Sequence, residues 1–150
     1  VLIQQNSENK QIYEENTEKY IKDLEKVEKQ YEEISQELNG QKAICLNEAL
    51  EYLAKDIKLE YISLHTDHDE NSMSAESIKN IINKMNTENI KIILIGKDDS
   101  IKNAEILANE TNAKIYKLDT VLTGATDKSA YIDAANRNLE VLKSVLGDEK

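Results

Sequence analysis

Lys91-Ile92-Ile93-Leu94-Ile95-Gly96 is the stretch that decides the fold. Four successive apolar side chains leave neither face of an extended segment polar, so this reads as a central strand covered on both sides, as in a parallel sheet. Working outward, the candidate strands are Lys42–Leu46, Glu60–Leu64, Ile90–Ile95 and Ala113–Leu118. Each precedes a segment of helical character: Asn47–Ile57, Ser74–Met85, Ser100–Thr111 and Lys128–Leu146. That alternation predicts the α/β class, a four-stranded parallel sheet flanked by helices over residues 41–150. Ser74 and Ser100 are the expected N-caps, with Glu76 well placed against the first of those helix dipoles. Ile132, Ala135, Leu139, Leu142 and Val145 form a core-facing stripe on the last helix.

Upstream lies one long charged helix. Tyr13, Tyr20, Leu24, Val27, Tyr31, Ile34 and Leu38 are spaced 7, 4, 3, 4, 3 and 4 residues apart, with Glu and Lys between them. Such a stripe fits a heptad-mediated dimer. Its three tyrosines and short length suit a helix laid along a domain better. Asn39-Gly40 supplies a C-terminal stop. The expected division is therefore 1–40, a long helix, and 41–150, the α/β lobe.

Composition narrows the function. The 150 residues include no Phe or Trp, so Ile, Leu, Val, Ala and seven Tyr must fill the core. A net charge of −10 argues against nucleic acid, which needs clustered Lys and Arg, and against an anionic membrane surface. Such a field attracts cations, although acidic surfaces also serve solubility. The single cysteine, Cys45, excludes an internal disulfide, and its apolar setting predicts a buried thiol. No apolar run reaches the roughly 20 residues of a membrane span, so no direct insertion is expected. The chain starts mid-pattern at Val1 without a signal peptide and reads as a mature or excised piece. With four glycines there is no phosphate loop, dinucleotide fingerprint or nucleophile elbow, and no enzyme is expected.

In a parallel sheet, ligands sit beyond the carboxyl ends of the strands. This directs attention to Asn47, the 65–72 loop, Gly96–Asp99 and Asp119–Gly124. His65-x-Asp67-His68-Asp69-Glu70 is the densest set of potential ligands, and imidazole with carboxylate suits zinc or manganese; the alternative is a solvated polar loop. Asp119 follows Tyr116-Lys117-Leu118, where the sheet can hold a carboxylate in the edge crevice; the alternative is a turn or cap residue.

At this point the chain resembles a known family, the metal-specific solute-binding proteins of ABC transporters. These are zinc- and manganese-capturing receptors that include streptococcal lipoproteins once called adhesins. Asn6-Ser7-Glu8-Asn9-Lys10 with Tyr13, Asn16 and Tyr20 resembles the family's "DPENK…Y..N…Y" lead into its long helix. Leu46-Asn47-Glu48-Ala49-Leu50-Glu51-Tyr52-Leu53-Ala54 is similar to "SHxAFxYLA", and Lys58-Leu59-Glu60-Tyr61-Ile62-Ser63 to "GL..I.I". Leu118-Asp119 followed by Tyr131 and Asn138-Leu139 resembles the family's ending, an Asp ligand before a "Y…M..NL..L" helix.

The resemblance implies the carboxyl-terminal lobe and interlobe helix of a two-lobed receptor. It also implies a zinc or manganese ion as cargo, an ABC permease as partner, and an extracytoplasmic place as a Gram-positive surface lipoprotein or in the periplasm. Carried over by position, the metal ligand is Asp119. The second ligand of this lobe, usually His or Glu, falls on Asn47, whose neutral oxygen suits manganese or calcium better than zinc. Glu48 could substitute only if the helix start shifted. His65 and His68 are auxiliary captors. The acid that often ends the third strand falls on Gly96, and Asp69, Met73 and Ala75 stand in the loop where the family has prolines. Half a ligand set is expected to bind metal weakly. A degenerate receptor of the same fold, binding a protein partner or another solute, and the heptad-mediated dimer are the alternatives.

Overall fold

The computed structural model describes residues 1–64 and 74–148. Four parallel strands, β1 (Lys42–Cys45), β2 (Glu60–Ser63), β3 (Ile92–Gly96) and β4 (Lys114–Leu118), form one sheet in the order β2-β1-β3-β4. Every residue of β3 is buried, as its continuous apolar sequence requires of a central parallel strand. Helices α3 (Ala49–Asp56), α4 (Ala75–Glu88), α5 (Lys102–Thr111) and α6 (Ala130–Asp148) follow the strands in turn.

Alternation along the strands sorts the core into two layers. Ala43, Cys45, Ile92, Leu94, Tyr116 and Leu118 face α3, α6 and the long helix α2 (Lys10–Leu38), meeting Leu50, Leu139 and Leu142. Ile44, Ile93 and Ile95 point the other way, against Met85 of α4 and Leu107 of α5. Cys45 is buried, and desolvation pushes its thiol above the usual range, as expected of a structural cysteine.

Helix α2 is 29 residues long, about 43 Å at 1.5 Å per residue. Val27, Ile34 and Leu38, from its second half, are buried in the lobe, and Tyr31 Oη donates to the Ala135 carbonyl of α6 at 3.0 Å. Ile12, Tyr20 and Ile21, from its first half, are exposed. So the heptad stripe is spent partly inside the lobe, which removes its second half as a dimer seam. Before α2 come a four-residue helix α1 (Leu2–Gln5) and a 3-10 turn at Ser7–Asn9.

Gly40 ends α2 with φ +81°, a conformation glycine adopts without a Cβ penalty. Helices α4 and α5 end on Asn89 and Asn112, both left-handed, which Asn tolerates better than most residues. Ser74 caps α4 by accepting from the Ser77 amide, and Glu76 lies in its first turn. Ser100, by contrast, caps nothing. Helix α5 starts at Lys102 with Ile101 in the N-cap position and no side-chain cap. The chain first makes a turn, Asp99 N–H donating to the Gly96 carbonyl at 3.1 Å, which delays the helix past Ser100.

Candidate metal centre

Register brings the candidate residues to one edge. Gly96 pairs with Leu118 at the ends of β3 and β4, and Lys97 N–H donates to the Leu118 carbonyl at 2.8 Å, so Lys97 stands beside Asp119. On the other side, Leu46 N–H donates to the Leu94 carbonyl, which sets Asn47 next to Gly96. Strand β1 leads to β2 on one side and β3 to β4 on the other, so their carboxyl ends form the switch-point crevice where α/β ligands bind.

Asp119 is 5% exposed. Its backbone is clamped by Asn138 of α6, which is equally buried: Asn138 Oδ1 accepts from Asp119 N–H at 2.7 Å and Nδ2 donates to the Asp119 carbonyl at 2.9 Å. The amide thus does the work of one more sheet rung, fixing where the strand ends. The carboxylate is fully engaged. Oδ1 accepts from the Val121 amide at 3.0 Å, while Oδ2 accepts from Lys97 Nζ at 2.9 Å and Arg137 Nη2 at 3.1 Å. Burial alone would raise its pKa. The Lys97 hydrogen bond, the Val121 amide and Arg137 outweigh burial and hold the carboxyl below its usual range, so it is anionic at neutral pH. Val121 has φ +58°, a left-handed conformation that a β-branched residue rarely takes. Such strain concentrates at functional sites.

Asn47 is committed elsewhere. Its Oδ1 accepts from the Ala49 amide at 2.9 Å, capping the start of α3, and its Nδ2 donates to Asp99 Oδ2 at 2.7 Å. The same Asp99 oxygen accepts from Gly96 N–H at 2.8 Å. This arrangement needs glycine, since a Cβ at position 96 would lie 2.6 Å from Asp99 Oδ2 and 3.0 Å from Asn47 Nδ2. A carboxylate therefore does stand at the end of β3, but it is supplied three residues downstream. Glu48 is exposed at the start of α3.

Asp119 also lines a groove of about 880 Å³ between α2, α3 and the start of α6, with Tyr31, Tyr52, Val121 and Tyr131 among its walls. His65 and His68 lie outside the described residues. Among the described residues no group of three or more His, Cys, Asp or Glu side chains is gathered to hold an ion. Of the expected residues, then, Asp119 and Asn47 share the edge. Lys97 and Asp99 lie in the Gly96–Asp99 segment that the sheet edge singles out, though the sequence assigns them no role there, and Arg137 is not foreseen at all. For Lys97 a signal exists, a cation directly after a buried strand whose neighbour ends in Asp; Arg137 offers none, as its partner is 18 residues away.

Three comparisons bear on the whole. The family described as "ZnuA: Zinc-uptake complex component A periplasmic" matches residues 1–145. The high-affinity zinc uptake system protein ZnuA of Bacillus subtilis is 31% identical over 150 residues, covering 97% of this chain. This chain spans only 47% of that relative's length. Among solved structures, the metal-dependent lipoprotein YcdH from Bacillus subtilis superposes with a TM-score of 0.77 at 28% identity, covering 95% of this chain and 55% of that one. FpvC from Pseudomonas aeruginosa, solved in complex with Mn2+, gives 0.74 at 19% identity, covering 99% and 56%, and supports the fold alone.

Proposed function

Because the chain belongs to the ZnuA family of metal-binding solute receptors, which are not enzymes, we propose that it is the carboxyl-terminal lobe and interlobe helix of a receptor feeding a metal-ion ABC importer. Residues 1–40 would join the lobes and 41–150 form the second one. The cargo would be zinc or manganese and the partner a membrane permease. The setting would be extracytoplasmic, in the periplasm or on a surface lipoprotein. No helix among the described residues is long and apolar enough to cross a membrane.

One observation carries this reading: a buried, anionic carboxylate, Asp119, fixed by Asn138 at the carboxyl edge of the sheet. A rigid oxygen ligand of this kind, completed by imidazoles from a second lobe, suits capture that is firm yet reversible. His65 and His68 would be auxiliary captors, and Asn47 a ligand only after giving up the α3 cap. The test is titration of the full-length protein with zinc and with manganese, before and after Asp119→Ala. Loss of affinity is expected; unchanged affinity refutes the assignment.

A second reading is favoured by the commitments of Asn47, whose oxygen and amide are both taken. In it, the protein keeps the receptor fold and binds another solute or a protein partner. Absence of zinc and manganese affinity in the intact two-lobed protein would select this reading over the first.

A further inference from the structure

We propose that Lys97 is a resident surrogate cation, filling the Asp119 site when no metal is bound and vacating it when a divalent ion arrives. The inference rests on the reading of Asp119 as a metal ligand. Its ground is that the carboxylate is already neutralised by the lobe itself. Asp119 Oδ2 accepts from Lys97 Nζ at 2.9 Å and Arg137 Nη2 at 3.1 Å, and the carboxylate is nearly inaccessible, with 4% of its side chain exposed. A divalent ion binds a carboxylate oxygen at about 2.0–2.2 Å. It cannot approach Oδ2 while an ammonium and a guanidinium sit there without strong repulsion between like charges at close range.

The two cations differ in how readily they leave. Lys97 has an unbranched stem and a compact, strongly hydrated charge, and 40% of its side chain is exposed. It also has a second carboxylate within reach, since Asp98 Oδ2 lies 3.9 Å from Nζ and the Asp98 side chain is 79% exposed. The ammonium can exchange one carboxylate for another without passing through an unpaired state. Its backbone stays pinned by the Lys97 N–H bond to the Leu118 carbonyl, so only the side chain has to move. Arg137 is the more exposed of the two, at 60%, and sits at the longer distance, which makes it the lesser competitor. Lys97 would thus lower metal affinity and ease release, setting the working range of the receptor.

A purely supporting lysine that positions Asp119 makes the opposite prediction, because removing it would weaken metal binding. The experiment titrates the full-length protein with zinc and with manganese as wild type, Lys97→Met, Arg137→Gln and Asp119→Asn. Met keeps the length of the stem and removes the charge. Lys97→Met is expected to tighten binding about tenfold, the size of a charge-assisted hydrogen bond that no longer competes, and Arg137→Gln by less. Asp119→Asn should abolish binding in both the wild-type and Lys97→Met backgrounds. Unchanged or weaker binding in Lys97→Met, with Asp119→Asn still inactive, overturns the surrogate role and leaves the ligand assignment standing. Unchanged binding in Asp119→Asn overturns both. An independent readout follows the Lys97 amine directly: its acetylation rate, measured by mass spectrometry on the wild-type protein, should rise at least twofold on saturation with zinc. No rise, or a fall, counts against the proposal.

Discussion

Asn138→Ala is the most informative single substitution away from the charged groups. Asn138 and Asp119 are both buried, and the amide closes a two-bond clamp on the Asp119 backbone, accepting at 2.7 Å and donating at 2.9 Å. Truncation leaves one buried N–H and one buried C=O without their partners. Each unsatisfied group costs about 1–3 kcal/mol, so the expected loss is roughly 2–6 kcal/mol, a large fraction of a domain's total stability. For a chain of this size that corresponds to a fall in melting temperature of roughly 5–15 °C. Urea unfolding of the chain, followed by far-ultraviolet circular dichroism, measures it. Asn138→Asp separates lost polar pairing from lost volume. It keeps the shape but turns an oxygen toward the Asp119 carbonyl and adds a negative charge beside a carboxylate, so it should be at least as harmful. If Asn138→Ala costs less than about 0.5 kcal/mol, or Asn138→Asp is neutral, the clamp is not what fixes the end of β4.

Two further outcomes follow from the same edge and from the helix that crosses it. Gly96→Ala places a methyl 2.6 Å from Asp99 Oδ2 and should expel that carboxylate, losing its bonds to Gly96 N–H and Asn47 Nδ2 at a cost of roughly 1–3 kcal/mol; in an Asp99→Ala background the same change should cost clearly less, leaving only the contact with Asn47 Nδ2 at 3.0 Å, and equal costs in both backgrounds would disprove the link. Burial, chiefly, and the charge of Tyr131 raise the Tyr31 pKa to about 12, against a lowering hydrogen bond with Asn138. A phenol whose pKa is higher in the folded state stabilises fully below its unfolded value near 10, and that contribution, at most about 2–3 kcal/mol, disappears as pH rises through the folded value. Stability should therefore fall between pH 10 and about 12 in the wild type and fall less steeply in Tyr31→Phe, and the late-ionising part of the tyrosinate absorbance should shrink in the variant; a high-pH end of the titration that Tyr31→Phe leaves unchanged refutes the assignment.

The fold was legible because its signals are local. The run Ile92–Ile95 could only be a doubly covered strand, Gly40 could only be a stop, and Ser74 stands at the start of a helical period; all three behave as read. The placement of the candidate residues was legible where the sheet dictates it, at Asp119 one residue past β4 and Asn47 two past β1. What escaped depends on long-range contact. Asp99 occupies the end of β3 only because Gly96 leaves room, and nothing in the order Gly96-Lys97-Asp98-Asp99 says which acid turns back. Arg137 reaches Asp119 because α6 crosses the end of β4, a packing fact with no trace in spacing. Ser100 misled for the converse reason. Its residue type favours a cap, but the turn at Gly96–Asp99 sets the helix start, and tertiary context overrides propensity.

Two of the positions where this chain departs from the pattern it resembles, Asn47 and Gly96, are neighbours in space, and they compensate one another. Glycine at 96 admits Asp99; Asp99 takes the Asn47 amide; the Asn47 oxygen is then turned to cap α3. That side of the crevice forms a satisfied network with no oxygen turned outward from Asn47, and opening it would cost α3 its cap, about 1 kcal/mol. On the other side, Asp119 carries one negative charge against the two positive charges of Lys97 and Arg137. In a chain of net charge −10, the one buried carboxylate among the described residues is thus met by two cations, one of which, Lys97, also lies 3.9 Å from Asp98. An ion drawn by the general acidic field would meet repulsion at the last few ångströms. If Asp119 is the metal ligand proposed above, capture there is an exchange of cations rather than the filling of an open site, and its strength is set by how easily Lys97 leaves.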